Sequence, residues 1–375
     1  MKDLDWRPIA TKLRRDVLDP IKLRLVGKDE IIEVLGVSLV AGENTFLYGP
    51  PGTAKSALVQ ELASRLGGRA FDYLLTRFTE PSELFGPFDL RRLREGELVT
   101  NTEGMLPEAE FVFLDELLNA NSAVLNSLLL ALNERIFRRG RERVRLPMLL
   151  TIGASNRLPE DDALAALFDR FLLRVHCGNV PTERLSEVLQ AGWQRERSGT
   201  LAPSLSMDEV RALQQTVSEV DLIPVRPAYI RLVERLREAG MAISDRRAVR
   251  LQRVVAGSAV ISGRDHAAVS DLWTLRYIWD VPAQREMLAA HVQAIVTEFS
   301  AKNEPENVAN VHPLADSEQG PHPEQIALAL DNISAQPNEP AVADQLALLA
   351  ARVEWVKNID SREYLRLRIA GMRGH

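Results

Sequence analysis

The sequence predicts an α/β protein: a core built on a parallel sheet, followed by an all-α domain and a helical C-terminal tail. Three observations predict it. A glycine-bearing loop that ends in Lys-Ser sits between a strand and a helix, a short wholly apolar strand ends in two acids, and after residue 181 the pattern turns to helices punctuated by Pro, Gly and Ser. With 375 residues, 46% hydrophobic and 26% charged, there is chain enough for two domains with cores of their own.

Residues 6–25 place Ile9, Leu13, Val17, Leu18, Ile21 and Leu25 at roughly helical spacing. Val26-Gly27-Lys28-Asp29 then turns the chain into a second periodic run, Ile31, Ile32, Val34 and Leu35. A Val-Gly turn just upstream of a phosphate loop can lay its backbone against a flat base, although an ordinary turn into a helix is the commoner use of the dipeptide. Next, the apolar run Thr45-Phe46-Leu47-Tyr48 meets Gly49-Pro50-Pro51-Gly52-Thr53-Ala54-Lys55-Ser56, and the helix-like stretch Ala57-Leu58-Val59-Gln60-Glu61-Leu62 follows. Strand, tight loop and helix in that order converge backbone N–H groups at a helix N-terminus, where the dipole favours anions. In such a loop Lys55 reaches phosphate oxygens as a point charge and Ser56 gives its hydroxyl to Mg²⁺. Ala54 stands where the G-x-x-x-x-G-K-[ST] pattern has its second glycine, and helical dihedrals, which a Cβ tolerates, are expected there.

Ala70-Phe71-Asp72-Tyr73-Leu74-Leu75 reads as the second strand. Residues 79–107 mix Phe85-Gly86-Pro87-Phe88, the basic cluster Arg91-Arg92-Leu93-Arg94, the turn Glu95-Gly96 and the alternating Glu97-Leu98-Val99-Thr100, which predicts a hairpin-bearing insertion rather than one regular helix. Phe111-Val112-Phe113-Leu114-Asp115-Glu116 has the short, continuous apolar character of a strand buried on both faces, and its acids fall at the C-terminal edge. Ligands bind at that edge in open α/β sheets. Asp115 can there hold Mg²⁺ through its waters, while Glu116 is placed to orient or deprotonate an attacking water. Taken alone, a strand that ends in polar residues is the better explanation; paired with the loop at 49–56, the catalytic reading wins.

Ser122 to Arg135 is an amphipathic helix with Val124, Leu125, Leu128, Leu129 and Leu132 on its apolar stripe. Two short alternating runs around Arg139-Gly140-Arg141 then predict a β-hairpin over 136–147 with a basic tip, either an element that touches a substrate or nucleic-acid backbone or a charged exposed turn. The strand Met148 to Ala154 ends in Ser155-Asn156, which puts a polar amide where it can hydrogen-bond a water attacking a phosphate. A helical turn from Ala163 to Phe168 ends in Asp169-Arg170-Phe171, and Leu172 to Val175 is the last strand. From Thr182 to about Ser300 the helices include Met207–Val217, Pro227–Ala239, Arg246–Ser258 and Pro282–Phe299, with Ser244 or Asp245 as N-cap of the third. Arg246 at that helix start opposes the dipole unless an anion is near, which favours a phosphate contact. Residues 302–325 show little periodicity and read as a linker, after which Val342, Leu346, Leu349, Val353 and Val356 share one helix face.

Several classes of function are disfavoured. A net charge of -6 gives no global attraction to nucleic acid or anionic membranes. Cys177 is the single cysteine, so no intrachain disulfide exists, and with His176 it belongs to no spaced Cys/His set. Met1 to Trp6 has no apolar signal-type run, and no stretch of eighteen apolar residues occurs, so a soluble cytoplasmic protein is expected.

The series formed by the loop at 49–56, Asp115-Glu116, Asn156, Arg170 and Arg246 resembles that of AAA+ ATPases. The wording GPPGTAKS, FGP, LPEAEFVFLDE, LLLALNER, ASN and LFDRF is similar to the MoxR family, nearest its RavA-like branch, over roughly residues 8–300. The resemblance implies an AAA+ αβα P-loop NTPase core over 1–181, with a helix-2 insert at about 79–107 and a pre-sensor-1 hairpin at 136–147. An all-α lid over 182–300, a linker over 301–335 and a C-terminal helical tail over 336–375 would follow. It further implies Mg²⁺-dependent ATP hydrolysis. Val26 and Gly27 would lie at the adenine, and Gly49, Pro50, Pro51, Gly52, Thr53, Ala54, Lys55, Ser56 and Ala57 at the phosphates. By the same resemblance Ser56 and Asp115 hold the metal, Lys55 and Glu116 are catalytic, Asn156 is sensor 1, Arg170 is an arginine finger given to a neighbouring subunit, and Arg246, or its neighbour Arg247, is sensor 2. The implied assembly is a homo-oligomeric ring, a hexamer, that remodels a protein client with a von Willebrand factor A domain partner. A nucleic-acid-stimulated motor of the same clade and a nucleotide-locked scaffold stay open as alternatives.

Overall fold

The computed structural model describes residues 5–96, 98–139, 142–199, 202–300, 311–315, 323–335, 342–353, 356 and 358–373. The chain divides into two compact units. One is Val17–Arg211; the other joins the N-terminal residues up to Asp16 to everything from Ala212 onward.

Helix α1 (Trp6–Lys12), a π-helical run (Leu13–Leu18) and α2 (Asp19–Arg24) open the chain, with the Asp5 carboxylate capping α1 by accepting from the Arg7 N–H. In the unit Val17–Arg211, α3 (Asp29–Ala41) buries every residue from Ile31 to Ala41 and stops at Gly42, whose φ of 67° gives the left-handed residue that ends helices. Glu33, buried within α3, is neutralised by Lys22. The strands are β1 (Thr45–Tyr48), β2 (Ala70–Leu74), β3 (Phe111–Asp115), β4 (Ile136–Arg139), β5 (Glu142–Arg145), β6 (Leu150–Ser155) and β7 (Leu173–His176). Five of them form one parallel sheet in the order β2-β3-β6-β1-β7, while β4 and β5 pair antiparallel with each other. Every residue of β6 is buried, as are the four apolar residues of β3, because a parallel sheet covered on both faces leaves no side for water. Helices α4 (Lys55–Arg65), α5 (Pro81–Phe85), α6 (Leu90–Arg94), α7 (Ser122–Glu134), α8 (Asp162–Phe168) and α9 (Leu185–Ser198) complete this unit, which α10 (Met207–Thr216) leaves.

The second unit is helical: α11 (Arg226–Glu238), α12 (Asp245–Ile261), a 3₁₀ run (Val269–Tyr277) and α13 (Arg285–Ser300). Beyond them α14 (Pro323–Ala335), α15 (Val342–Val353) and α16 (Ile359–Arg373) bury Ile326, Leu330, Leu349, Val353, Leu365 and Ile369 against one another. No described helix is long and apolar enough to cross a membrane.

The architecture is the α/β sheet with a helical domain and helical C-terminal region that the sequence predicts, with three differences of detail. The insertion has a hairpin-like base, where the Asp89 backbone N–H donates to Val99 O (2.8 Å) and the Asn101 backbone N–H to Pro87 O (2.8 Å), but its basic cluster is the short helix α6, capped by the Asp89 carboxylate. Asp89 accepts the Arg91 and Arg92 N–H groups, which lowers its pKa and stabilises that helix start. The end of the expected linker is helix α14, because Ile326, Ala329, Leu330 and Ile333 recur at helical spacing and find partners in the tail; residues 301–310 and 316–322 lie outside the described residues. Finally, α9 groups with the sheet unit and α1 with the helical unit, so the compact units part near residue 211 rather than at 181.

The helical unit is pinned by a buried charge. Asp271, with no exposed surface, accepts from both Arg264 nitrogens (2.8 and 2.7 Å), from the Ser258 hydroxyl (2.6 Å) and from the Ala268 N–H (2.8 Å), and Trp273 donates its indole N–H to the same Ser258 oxygen (2.9 Å). Removing one partner of such a pair strands the other charge, at a cost of about 3–5 kcal/mol. Asp271→Ala is expected to lower the stability of this unit by that amount, read as a lower urea midpoint at constant slope, and an unchanged midpoint would show that the network adds nothing to stability.

Candidate active site

The sheet register brings the candidate residues together. Tyr48, the last residue of β1, is level with Ser155 of β6 and His176 of β7. The ladder continues one residue further, since Gly49 N–H donates to Ser155 O (3.1 Å) and Cys177 N–H to Tyr48 O (2.7 Å). Gly49, Asn156 and Cys177 therefore leave the sheet at one level. A Cβ on Gly49 would lie 2.1 Å from Cys177 O, so only glycine lets the loop start against β7. Cys177 is buried and donates its thiol to Thr53 O (3.3 Å), a backing for the loop rather than a reactive group.

Within the loop, Gly52 is left-handed (φ 78°) and a Cβ there would meet nothing within 4 Å. Ala54 departs from the expected helical dihedrals: it is left-handed, φ 67° and ψ 23°, and sits as N-cap of α4. The loop must reverse before the helix begins, so this position keeps the conformation that glycine would supply, at a steric cost of about 1–2 kcal/mol. Lys55 is buried and its Nζ donates to the carbonyls of Gly49 (2.9 Å) and Pro50 (2.9 Å), which folds the cation over the loop it would share with phosphates. Thr53 closes the same turn by donating to Pro50 O (2.9 Å).

Ser56 Oγ donates to Asp115 Oδ2 at 3.2 Å. A hydroxyl and a carboxylate side by side are hard oxygen donors of the kind that hold Mg²⁺ together with substrate phosphates, so this pair fits that ion. Glu116 turns left-handed (φ 49°, ψ 40°) directly after β3, and its N–H donates to Asp115 Oδ1 (2.9 Å). That turn directs the chain away from the strand, and Glu116 becomes part of a cleft of about 790 Å³ with Tyr48, Gly49, Pro50, Pro51, Asn119, Asn156, Arg157 and His176. Loop, acid and amide thus share one cleft, whose wall combines backbone, a carboxylate, amides and a guanidinium, a set suited to a polyanion and a water.

Other predicted residues lie elsewhere. Val26 is half-buried, and Gly27 (φ 72°) is so close to Val180 that a Cβ would sit 3.0 Å from its Cγ2; Lys28 Nζ donates to Gly178 O (2.6 Å), so this turn packs on the segment after β7. Asp29, beside it, has its carboxyl pushed up by burial, an effect that the Lys22 charge partly offsets. Arg170 is outside the cleft lining, has 19% of its side chain exposed and stands 3.9 Å from Asp169 Oδ2. Arg246 is exposed in the helical unit, on α12, whose N-cap is Ser244. Arg247 is 5% exposed and engaged by Asp280 Oδ1 (3.0 Å) and Ile278 O (2.5 Å), so it serves the interior of its own unit.

The cleft also holds Tyr48, Asn119, Arg157 and His176, none of which the sequence marks as site residues. Their adjacency to marked ones was the available signal: Arg157 follows Asn156, Asn119 comes one turn after Glu116, and Tyr48 and His176 end strands.

Two family matches divide the chain in agreement with its two units. Residues 11–215 match the MoxR domain described from MoxR-vWA-beta-propeller ternary systems, and residues 227–292 match an AAA lid domain. Two proteins of Methanocaldococcus jannaschii, MJ0079 and MJ0812, are 37% and 35% identical over 254 and 274 residues; those alignments cover 67% and 72% of this chain and 66% and 72% of the relatives. Protein MoxR of Methylorubrum extorquens is 26% identical over 72% of this chain and 85% of its own. A crystal structure of a candidate ATPase from Cytophaga hutchinsonii shares the fold, with a TM-score of 0.63 and 20% identity over 80% of this chain and 97% of that one.

Ala54→Gly would remove the left-handed strain of about 1–2 kcal/mol and lose about 0.5–1 kcal/mol to the freer unfolded chain. The expected net is a gain of about 0.5–1 kcal/mol, read as a higher urea midpoint at constant slope. A lower midpoint would show that Ala54 is not strained.

Proposed function

Because this chain belongs to the MoxR family of AAA+ ATPases, we propose that it binds ATP at the loop Gly49–Ser56 and hydrolyses it to remodel a protein client. The observation that carries the reading is the cleft at the C-terminal edge of β1 and β6, where the phosphate loop, Glu116 and Asn156 face one space beside the Ser56–Asp115 pair. Backbone N–H groups from Gly52 to Ala57, through the loop and into the first turn of α4, would take the phosphates, with Lys55 exchanging the loop carbonyls for phosphate oxygens. Val26 and Gly27, packed beside Val180, would lie against the adenine. Ser56 and Asp115 would hold Mg²⁺, which when bound supplies charge neutralisation on the phosphates.

Glu116 and Asn156 would orient the attacking water, Glu116 as its base. Bond making and breaking at phosphorus need little covalent help, so most of the acceleration comes from position and charge. Arg170 lies outside its own cleft, which supports a role at the nucleotide of a neighbouring subunit and hence a ring, a hexamer in this reading. Arg246, exposed while Arg247 is engaged, would act as the lid arginine in the same subunit. The description of the matching family supports a von Willebrand factor A domain partner, and the cytoplasm is the compartment proposed.

Glu116→Gln is expected to retain ATP and lose hydrolysis, measured as nucleotide binding against phosphate release; a variant with normal turnover would move the water-orienting role elsewhere. Arg170→Ala should leave ATP affinity nearly unchanged and lower turnover about 10³-fold, in line with arginine fingers of GTPases. Adding Glu116→Gln subunits, which still carry Arg170, should restore turnover at the intact sites of Arg170→Ala subunits. No recovery in such mixtures would remove the claim that the arginine acts across subunits.

A further inference from the structure

We infer that Arg157 is a positioning residue for the hydrolysis proposed above: it ties the turn that begins at Glu116 to the strand end that carries Asn156. The inference rests on the ATPase reading of this cleft. Arg157 Nη2 donates to Asn119 Oδ1, its Nη1 lies 3.8 Å from Glu160 Oε1, and its backbone N–H donates to the buried Ser155 hydroxyl (3.1 Å). Asn119 N–H in turn donates to Glu116 O (2.8 Å), which closes the 3₁₀ turn Leu117–Asn119. Two hydrogen bonds therefore link the backbone of Glu116 to the guanidinium of the residue after Asn156, and all four residues line one cleft.

The inner side of the same turn is held differently. Leu117 is fully buried over Gly153 of β6, so close that a Cβ on Gly153 would lie 2.7 Å from Leu117 Cδ2. Apolar contact is non-directional and fixes how near the turn lies to the strand, not how it is rotated. Glu116 has left-handed dihedrals (φ 49°); its N–H is held by Asp115 Oδ1 and its carbonyl by the Asn119 N–H, so the direction of its carboxylate depends further on a directional bond that ties this turn to the end of β6. The guanidinium fork supplies that bond while a second nitrogen faces Glu160, which a single ammonium could not match with the same geometry. Arg157 acts on the water through Glu116, and no contact of its own with the nucleotide is needed.

The test is steady-state ATP hydrolysis and binding of a fluorescent ATP analogue on the full chain, with wild type, Glu116→Gln, R157A, R157K, N119A, N119D and the R157A/N119A double variant. R157A and N119A are each expected to lower kcat by about tenfold or more with KM within about twofold, the signature of lost alignment rather than lost binding. The double variant should be no slower than the worse single one, because both remove the same tie. N119D, whose carboxylate still accepts from the guanidinium, should recover part of the loss, and R157K less. Multiplicative losses in the double variant, a raised KM with unchanged kcat, or kcat within twofold of wild type in N119A would each overturn the inference. N119A alone carries the test if R157A fails to fold. Absence of hydrolysis in wild type overturns the ATPase reading instead, whereas hydrolysis that Glu116→Gln abolishes and N119A leaves intact overturns only the role given to Arg157.

Discussion

Parallel pairing of β1 between β6 and β7 is the constraint from which the site follows. Parallel strands put their C-terminal ends on one edge, and β1 has strands formed later in the chain on both sides, so the winding reverses beside it and a crevice opens. The register then decides what meets there. With Tyr48 level with Ser155 and His176, the next residues out are a glycine, an amide and a buried thiol, and the glycine is forced because Cys177 O occupies the space of a Cβ. A slip of one residue would send each β1 side chain to the opposite covered face, against the wrong neighbours, and move the start of the loop off the amide.

Of the three left-handed non-glycine residues among the described residues, Arg135 ends α7 and the other two stand where that edge is used. Ala54 and Glu116 are left-handed, each at a cost of about 1–3 kcal/mol. Such residues persist only where their surroundings over-determine them. On either side of Ala54, Thr53 is held by the Cys177 thiol and α4 buries Leu58, Val59 and Leu62. Around Glu116, β3 buries four apolar side chains and Leu117 seats on Gly153. One buried aliphatic side chain contributes about 1.5–3 kcal/mol, so a few of them outweigh both strained residues.

Much of this was legible in the sequence, because the devices concerned are local. A four-residue apolar run before a glycine loop and another before two acids specify buried parallel strands and what stands at their ends, and the structure brings Gly49, Glu116 and Asn156 onto one cleft. What could not be read depends on distant partners. The dihedrals of Ala54 follow from the path of the loop into α4, not from alanine's own preference. Arg91, Arg92 and Arg94 read as an ordinary basic cluster until Asp89 is seen to cap them into a helix. Helix α14 starts at the end of a stretch whose composition is that of a linker, and its apolar face acquires meaning only against α15 and α16. Arg157 and Asn119 are unremarkable in sequence, thirty-eight positions apart, and gain significance only when β3 and β6 become neighbours.

The same dependence on burial separates the two adjacent arginines of α12. Sequence favours Arg246 for the phosphate contact and leaves its neighbour Arg247 as the alternative. Arg247 is held by Asp280 and by the Ile278 carbonyl, and withdrawing it would leave a partly buried carboxylate without its cation, at a cost of several kcal/mol. Arg246, one residue earlier on the exposed face, carries no such obligation to the interior. A cation in the first turn of a helix is opposed by the dipole, which Asp245 at the preceding position partly offsets, and an approaching phosphate would relieve the rest. The fold thus assigns one arginine to hold the helical unit together and leaves its neighbour available for an anion, and that division supports the lid role given to Arg246 over one for Arg247.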